Sequence, residues 1–398
     1  VIGCNRAAAH PRRSAIRRSR PAFTILELLV AMAVMALILV LIGQMFSAVS
    51  KSWKSSSGRA ASFAAARAAF EAMGRNLSQA TLATYLSYAD SSGKPVPLIN
   101  PSFKPVSGMV DRSSVPTQYL RMSELHFITG NAAGLFAAAG VAGLATTGQA
   151  VFFQAATGFV QKQENRPKAS LLNVLGYYIE FGGDDAFRPG ALAALVPARS
   201  RYRLMEVAQP AERNGIYEST CALDGNGVAV YTYDLGWLAR LILTASGDPA
   251  QPPLEKQPLA ENVIALALLP RLSPLQSVKP DELTKDFSYD SRAWEDPAKS
   301  VDSRLRNQLP PLVELVLVSI DEPSAQKLAQ LYGGADRSSP PFANPAVRAK
   351  VDLDALFKDP TKLDEDIKTL ETGLGSLQMS YRVFRTTVGM HGAKWADR

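Results

Sequence analysis

The sequence predicts an α+β fold. One long N-terminal helix, first membrane-spanning and then amphipathic, packs on a mostly antiparallel β-sheet body with insertions. Three observations predict it. Residues 23–50 make 28 positions in which the only charged side chain is Glu27. Residues 52–86 contain no proline and carry a heptad-spaced apolar stripe. Beyond residue 118, short β-branched and aromatic runs alternate with turn signals, the pattern of an antiparallel sheet.

The chain opens on a basic segment, read as a leader over 1–22 that is removed. It holds Arg6, Arg12, Arg13, Arg17, Arg18 and Arg20, with no lysine or acid. Those six leave 37 of the 43 basic residues to face 36 acidic ones, so the body is near neutral although the whole chain carries +7. A near-neutral body lacks the electrostatic footprint of a nucleic-acid binder, and no nucleic-acid partner is expected. Of the two cysteines, Cys4 lies in the leader and Cys221 is left alone, which excludes a disulfide framework. Cys221 reads as a small packed residue.

The apolar run at 23–50 is long enough to cross a bilayer as a helix, which takes about 20 apolar residues. It is longer than the 7–15 residues of a signal-peptide core. Arginines before it outnumber Lys51 and Lys54 after it, which puts the N-terminus on the cytoplasmic side. Glu27 needs a partner, because a carboxylate in a membrane helix is costly. Cleavage just before Phe23 would create one. The new α-amine would stand one helical turn from Glu27 and could neutralise the carboxylate of a neighbouring copy.

At these residues the chain resembles a family. "AFTILELLVAMAV" is similar to the prepilin-type N-terminal motif of type IV pilins and type II secretion pseudopilins. The resemblance implies that a prepilin peptidase in the bacterial inner membrane cuts after Ala22. It implies that Phe23 becomes the methylated first residue and Glu27 the fifth-position glutamate of assembly. Two positions depart from the family: Ala22 stands where glycine is usual, and Thr24-Ile25-Leu26 replaces the commoner Thr-Leu-Ile order.

The helix is expected to continue over 51–87. Phe63, Phe70 and Leu77 recur every seven residues, with Ala66, Met73 and Ala80 between them, forming one apolar stripe. Arg59, Arg67, Glu71 and Arg75 fall largely off it. Residues 88–118, with five prolines and many serines, read as a loop. The β-rich body follows over 119–398. Its strand candidates are 118–129, 149–155, 175–182, 202–209, 263–272, 312–321 and 380–388, separated by turns such as Gly182–Asp185 and Asp224–Gly227.

Two insertions interrupt the body, near 131–148 and 333–375. The uncharged, Ala/Gly-rich stretch from Asn131 to Gln161 has the length of a second membrane span. Its polar Asn131, Thr146, Thr147, Gln149 and Gln154 favour a buried helix and strand instead. The second insertion ends in a stretch of helical spacing. It separates two strand candidates able to form a terminal hairpin.

A second resemblance comes from "GYYIEFGGDDAFRP", "RYRLMEVAQPAE", "LAENVIALALLPRLSP" and "YDSRAWED". These are similar to the Verru_Chthon cassette protein C family of pilin-like proteins. The order of an apolar strand, an aromatic/Asp turn and a Leu-Pro-led strand also resembles minor pseudopilins of the J type.

No catalytic constellation is visible. The motifs G-x-S-x-G, H-E-x-x-H and G-x-x-x-x-G-K-[ST] are missing. Ser92-Gly93-Lys94 lacks the upstream glycine, since position 88 is Tyr88, and "GLGSLQ" at 373–378 lacks a third glycine. His126 and His391 sit in no metal-like cluster and read as structural or surface residues. Asp281, Glu282, Asp286, Asp290, Glu295 and Asp296 cluster in sequence and raise calcium as a ligand. Their spacing matches no known calcium loop, so no cofactor is expected.

The sequence therefore points to a non-enzymatic minor pilin- or pseudopilin-like subunit. Its expected partners are the prepilin peptidase and other pilin-type subunits. It would lie in the bacterial inner membrane with a single pass, its body in the periplasm. The alternative is a signal-anchored envelope protein whose β-rich body binds a ligand or polysaccharide.

Overall fold

The computed structural model describes residues 24–89, 118–166, 168, 170–185, 187, 198–219, 222–223, 229–230, 235–243, 255–296, 302–335 and 337–395. The chain divides into two units, Val1–Ser56 and Ser57–Arg398. Helix α1 (Ile25–Ser78) begins in the first and ends in the second.

The first unit is described by the start of α1. Ile25–Ser50 is long and apolar enough to cross a membrane, and none of it is buried within the chain. At 1.5 Å per residue, its 26 residues span about 39 Å, more than the roughly 30 Å of a hydrocarbon core.

The second unit is built on antiparallel sheets. Strands β1 (Tyr85–Ala89) and β2 (Gln118–Met122) form a two-stranded ribbon. Then come β3 (Ile128–Asn131), α2 (Ala132–Ala138), β4 (Ala145–Ala155), β5 (Asn173–Gly182) and β6 (Arg201–Gln209). A short ladder joins β7 (Ala222–Leu223) to β8 (Ala229–Val230). Next are α3 (Gly236–Leu243), β9 (Glu255–Glu261), β10 (Val263–Arg271), β11 (Tyr289–Asp290) and β12 (Leu312–Ile320). The chain continues through α4 (Glu322–Tyr332), α5 (Leu363–Ser376) and β13 (Tyr381–Gly389). The larger sheet has the order β11-β3-β4-β5-β6-β9, and the smaller one β10-β12-β13.

The strands of the core do not alternate cleanly, because both faces are covered. β10 and β12 are buried at nearly every position, which explains their continuous apolar runs. The one acid inside β12, Glu314, is 4% exposed. It accepts from Arg271 at 2.7 Å and from Arg385 Nε at 2.6 Å, the pairing a buried carboxylate requires.

The two sheets meet where β4 crosses β10. Gly148 has φ +68°, and a Cβ there would lie 2.8 Å from the Leu266 carbonyl oxygen. Only glycine fits both the backbone conformation and the approach. The resulting bulge in β4, between Thr147 and Val151, presents two side chains to β10. Gln149 Oε1 accepts from Leu268 N at 2.6 Å, and Thr147 Oγ1 donates to Ile264 O at 3.3 Å. These bonds occupy backbone groups on the β10 edge that faces away from β12.

The second half of α1 lies along β13. Phe70 stacks near Phe384 with ring centroids 5.9 Å apart, and the Arg382 guanidinium sits 5.6 Å from the Phe63 ring. Ala66, Met73 and Leu77 are fully buried, and Ala80 follows just beyond the helix. Asn76 Nδ2 donates to the Tyr177 hydroxyl at 2.7 Å, and that hydroxyl donates to Glu206 at 2.6 Å. α4 starts on Asp321, whose carboxylate caps Ser324 N at 2.9 Å.

Three boundaries differ from expectation. The helix expected over 51–87 ends at Ser78. There the chain turns to pair with the sheet: Ala80 bridges Ala155, Thr81 N donates to Gln154 O at 2.9 Å, and His391 N caps Ser78 O at 3.2 Å. Partners distant in sequence thus replace the next helical turn. The loop expected over 88–118 overlaps strand at both ends, in β1 and at Gln118; residues 90–117 lie outside the described ones. The single strand expected over 118–129 is two, β2 and the start of β3, split where Ser123 turns inward to donate to Leu125 O. The first insertion folds as α2 and β4, and the terminal hairpin forms between β12 and β13.

Candidate functional site

The first turn of α1 starts at Thr24. Its carbonyl accepts from Leu28 N at 3.2 Å, and its hydroxyl accepts from Glu27 N at 3.2 Å. Thr24 therefore caps the helix, with Glu27 three residues on, the Thr-x-x-Glu spacing of a capping box. A carboxylate in the first turn also faces the positive end of the helix dipole. The Thr-x-x-Glu spacing in "TILE" is the sequence signal of this local role for Glu27. The role leaves the carboxylate itself exposed and without a cation among the described residues. Ala22 and Phe23, the expected processing pair, lie outside the described residues, as do Cys4, Cys221, Ser92–Lys94 and Asp224–Gly227.

Around Glu27 the helix offers only apolar surface. Ile25, Leu29, Met32, Met35, Leu39, Ile42 and Phe46 are all more than half exposed within the chain. Apolar area on this scale is stable only against lipid or against other apolar helices.

The two histidines go to separate places. His126 is buried, 1% exposed, inside an aromatic cluster. Its Nδ1 accepts from Trp237 Nε1 at 3.2 Å, so Nε2 carries the proton toward Asp290 Oδ1 at 2.7 Å. The Asp290 carboxylate also accepts from Arg292 N at 2.8 Å. This chain ties α3 to β11 through the strand entrance at His126. The nearby Ser291 hydroxyl instead accepts from Phe127 N at 3.0 Å. His391 is exposed, and its amide serves the end of α1.

Four of the six acids that raised calcium are held by different partners. Asp281 binds Lys285 at 2.7 Å, and Asp286 accepts from Ser288 N at 3.2 Å. Asp290 serves His126, while Glu295 holds the buried Arg292 Nε at 2.8 Å. No group of three His, Cys, Asp or Glu side chains suited to a metal converges among the described residues. Gly373, in the glycine-rich stretch 373–378, is pressed against the Lys350 carbonyl, where a Cβ would lie at 2.4 Å. Asp184 uses its carboxylate to accept from Arg199 N at 2.9 Å, closing a turn.

No family model matches the chain, no curated protein matches it, and no solved structure matches it.

Proposed function

We propose that this chain is a non-enzymatic, pilin-like assembly subunit. It is inserted with its N-terminus in the cytoplasm and its body in the periplasm. A prepilin peptidase cuts it between Ala22 and Phe23 and methylates the new N-terminus. The processed helix packs beside those of other subunits in a pilus or secretion pseudopilus, and the large body suits a minor subunit. One observation carries this reading: a 26-residue apolar helix, unburied within its own chain, holds a single carboxylate in its first turn. A lipid anchor needs the apolar residues, and the acid serves it only at the start of its helix. A helix that must find its register beside another copy gains a charge to match.

Mass spectrometry of the N-terminal peptide from membrane-extracted protein tests it. The expected first residue is N-methylated Phe23. An uncut leader, or cleavage near Ala48, would sink the assembly reading and leave an anchored envelope protein.

A further inference from the structure

A cavity of about 570 Å³ opens beside the β1–β2 ribbon, bounded also by residues 303–308 and by Lys394 and Trp395. That volume suits a small organic ligand, since such sites run from roughly 300 to 1,000 Å³. The assembly role makes no use of it.

The charges on its wall are unbalanced. Arg121, Arg304, Arg306 and Lys394 line it against one acid, Glu282. Arg304 is held by Asp302 at 2.6 Å and lies in the field of Glu282 as well. The other three cations have no carboxylate within ion-pair distance among the described residues. Lys394 Nζ donates to the Thr84 hydroxyl at 3.1 Å. The Arg306 guanidinium lies 3.6 Å from the Trp294 ring centroid, with Nη2 3.5 Å from Met122 Sδ.

Arg306, on the cavity wall, also keeps its buried Nε without an acceptor, a costly arrangement in a folded protein. Burial draws the Arg306 pKa down, against the pull of Glu295. Glu295 acts on Arg306 only through its field, while Arg292 binds it through Nε at 2.8 Å and through Nη2.

The remaining wall holds two aromatic rings, Tyr119 and Trp395, among leucine and uncharged polar side chains. Tyr119 is 64% exposed, and the Trp395 indole is fixed by its N–H donating to Leu309 O at 2.6 Å. Planar rings beside guanidinium forks match a sugar ring that carries a carboxylate. The carboxylate accepts from the cations, and the apolar face of the sugar lies on the rings. Glu282, the one acid on this wall, accepts from sugar hydroxyls, donors that a run of glutamate side chains does not offer.

We propose that this cavity binds an anionic saccharide of the uronate type. Arg121, Arg306 and Lys394 receive the carboxylate, and Tyr119 and Trp395 receive the ring. This site is independent of the assembly role, and its test does not require processing or filament formation.

The test is calorimetric titration of the full chain in detergent with trigalacturonate, maltotriose and triglutamate. Trigalacturonate is expected to bind saturably and to weaken as salt rises, with no heat from maltotriose. Arg121→Gln and Lys394→Gln, both on the cavity rim, are each expected to weaken it by about tenfold. Each variant should keep the parent melting temperature, which separates lost binding from lost folding. No saturable trigalacturonate binding would overturn the proposal, as would equal affinity in both variants or equal binding of maltotriose. Tighter binding of triglutamate with the same Arg121 dependence would also overturn it and assign the cavity to an acidic peptide.

Discussion

Glu27 has two physical roles within one turn of helix. Its amide closes the cap on Thr24, and its position favours the helix dipole. The proposed assembly adds a third role, pairing of the carboxylate with a cation from a neighbouring copy. Glu27→Val is therefore expected to insert normally and lose most of its incorporation into filaments, read by shearing and quantifying the assembled fraction. Unchanged incorporation would leave capping as the whole explanation. Away from the membrane, Glu212 shows what a surface carboxylate gains from donors alone. It accepts from Gln161 N and Lys162 N at 3.1 and 3.0 Å and from Asn165 Nδ2 at 2.9 Å. The Asn165 bond is the main cause that draws its pKa from the usual 4.5 down to about 2, helped by the two backbone donors. Because the folded value is depressed, its contribution to stability is complete above the unfolded value. It is lost as pH falls from about 4.5 through about 2. Carbon-detected titration of Glu212 is expected to find this low value, and Asn165→Ala is expected to raise it. His126 marks the limit of reading residues singly. Its isolation in sequence pointed to a structural role, but Trp237 and Asp290 could not be named, being 111 and 164 positions away.

At the scale of elements, the apolar stripe of α1 was legible because helical spacing is local. Phe63, Ala66, Phe70, Met73 and Leu77 all turn toward the body. The stripe could not say which strand it meets; that is β13, near the opposite end of the chain. Nor could it place the end of the helix. Residues 79–86 have no proline to break a helix, yet pairing with β4 and the ribbon draws them away. Met73 is fully buried on this stripe. Met73→Ala is expected to destabilise the body by about 2–5 kcal/mol through lost contact and a residual cavity. Urea unfolding followed by tryptophan fluorescence would measure it. The parallel change Glu71→Ala, at an exposed position away from the stripe, is expected to cost under about 0.5 kcal/mol.

For the whole molecule, the division at Ser57 separates apolar helix from body. The body carries its own core of two sheets and the second half of α1. A chain shortened to begin at Ser57 is expected to dissolve without detergent and unfold cooperatively, with a melting temperature within a few degrees of the full chain. Aggregation or loss of the cooperative transition would show that the first half of α1 supports the core. The sequence by itself determined the α+β class, the apolar span, the amphipathic stripe and most of the strands. Each depends on spacing within one element, and periodicity records it directly. Tertiary structure alone decided the strand order, the crossing of β4 over β10 at Gly148, the end of α1 and the neighbours of His126. It also decided that Arg121, Arg306 and Lys394 share one cavity. Those features depend on contacts between residues up to about three hundred positions apart, where Lys394 meets Thr84. Closing such loops costs chain entropy that varies little with length. The packing of complementary surfaces therefore selects them, and no local pattern encodes it.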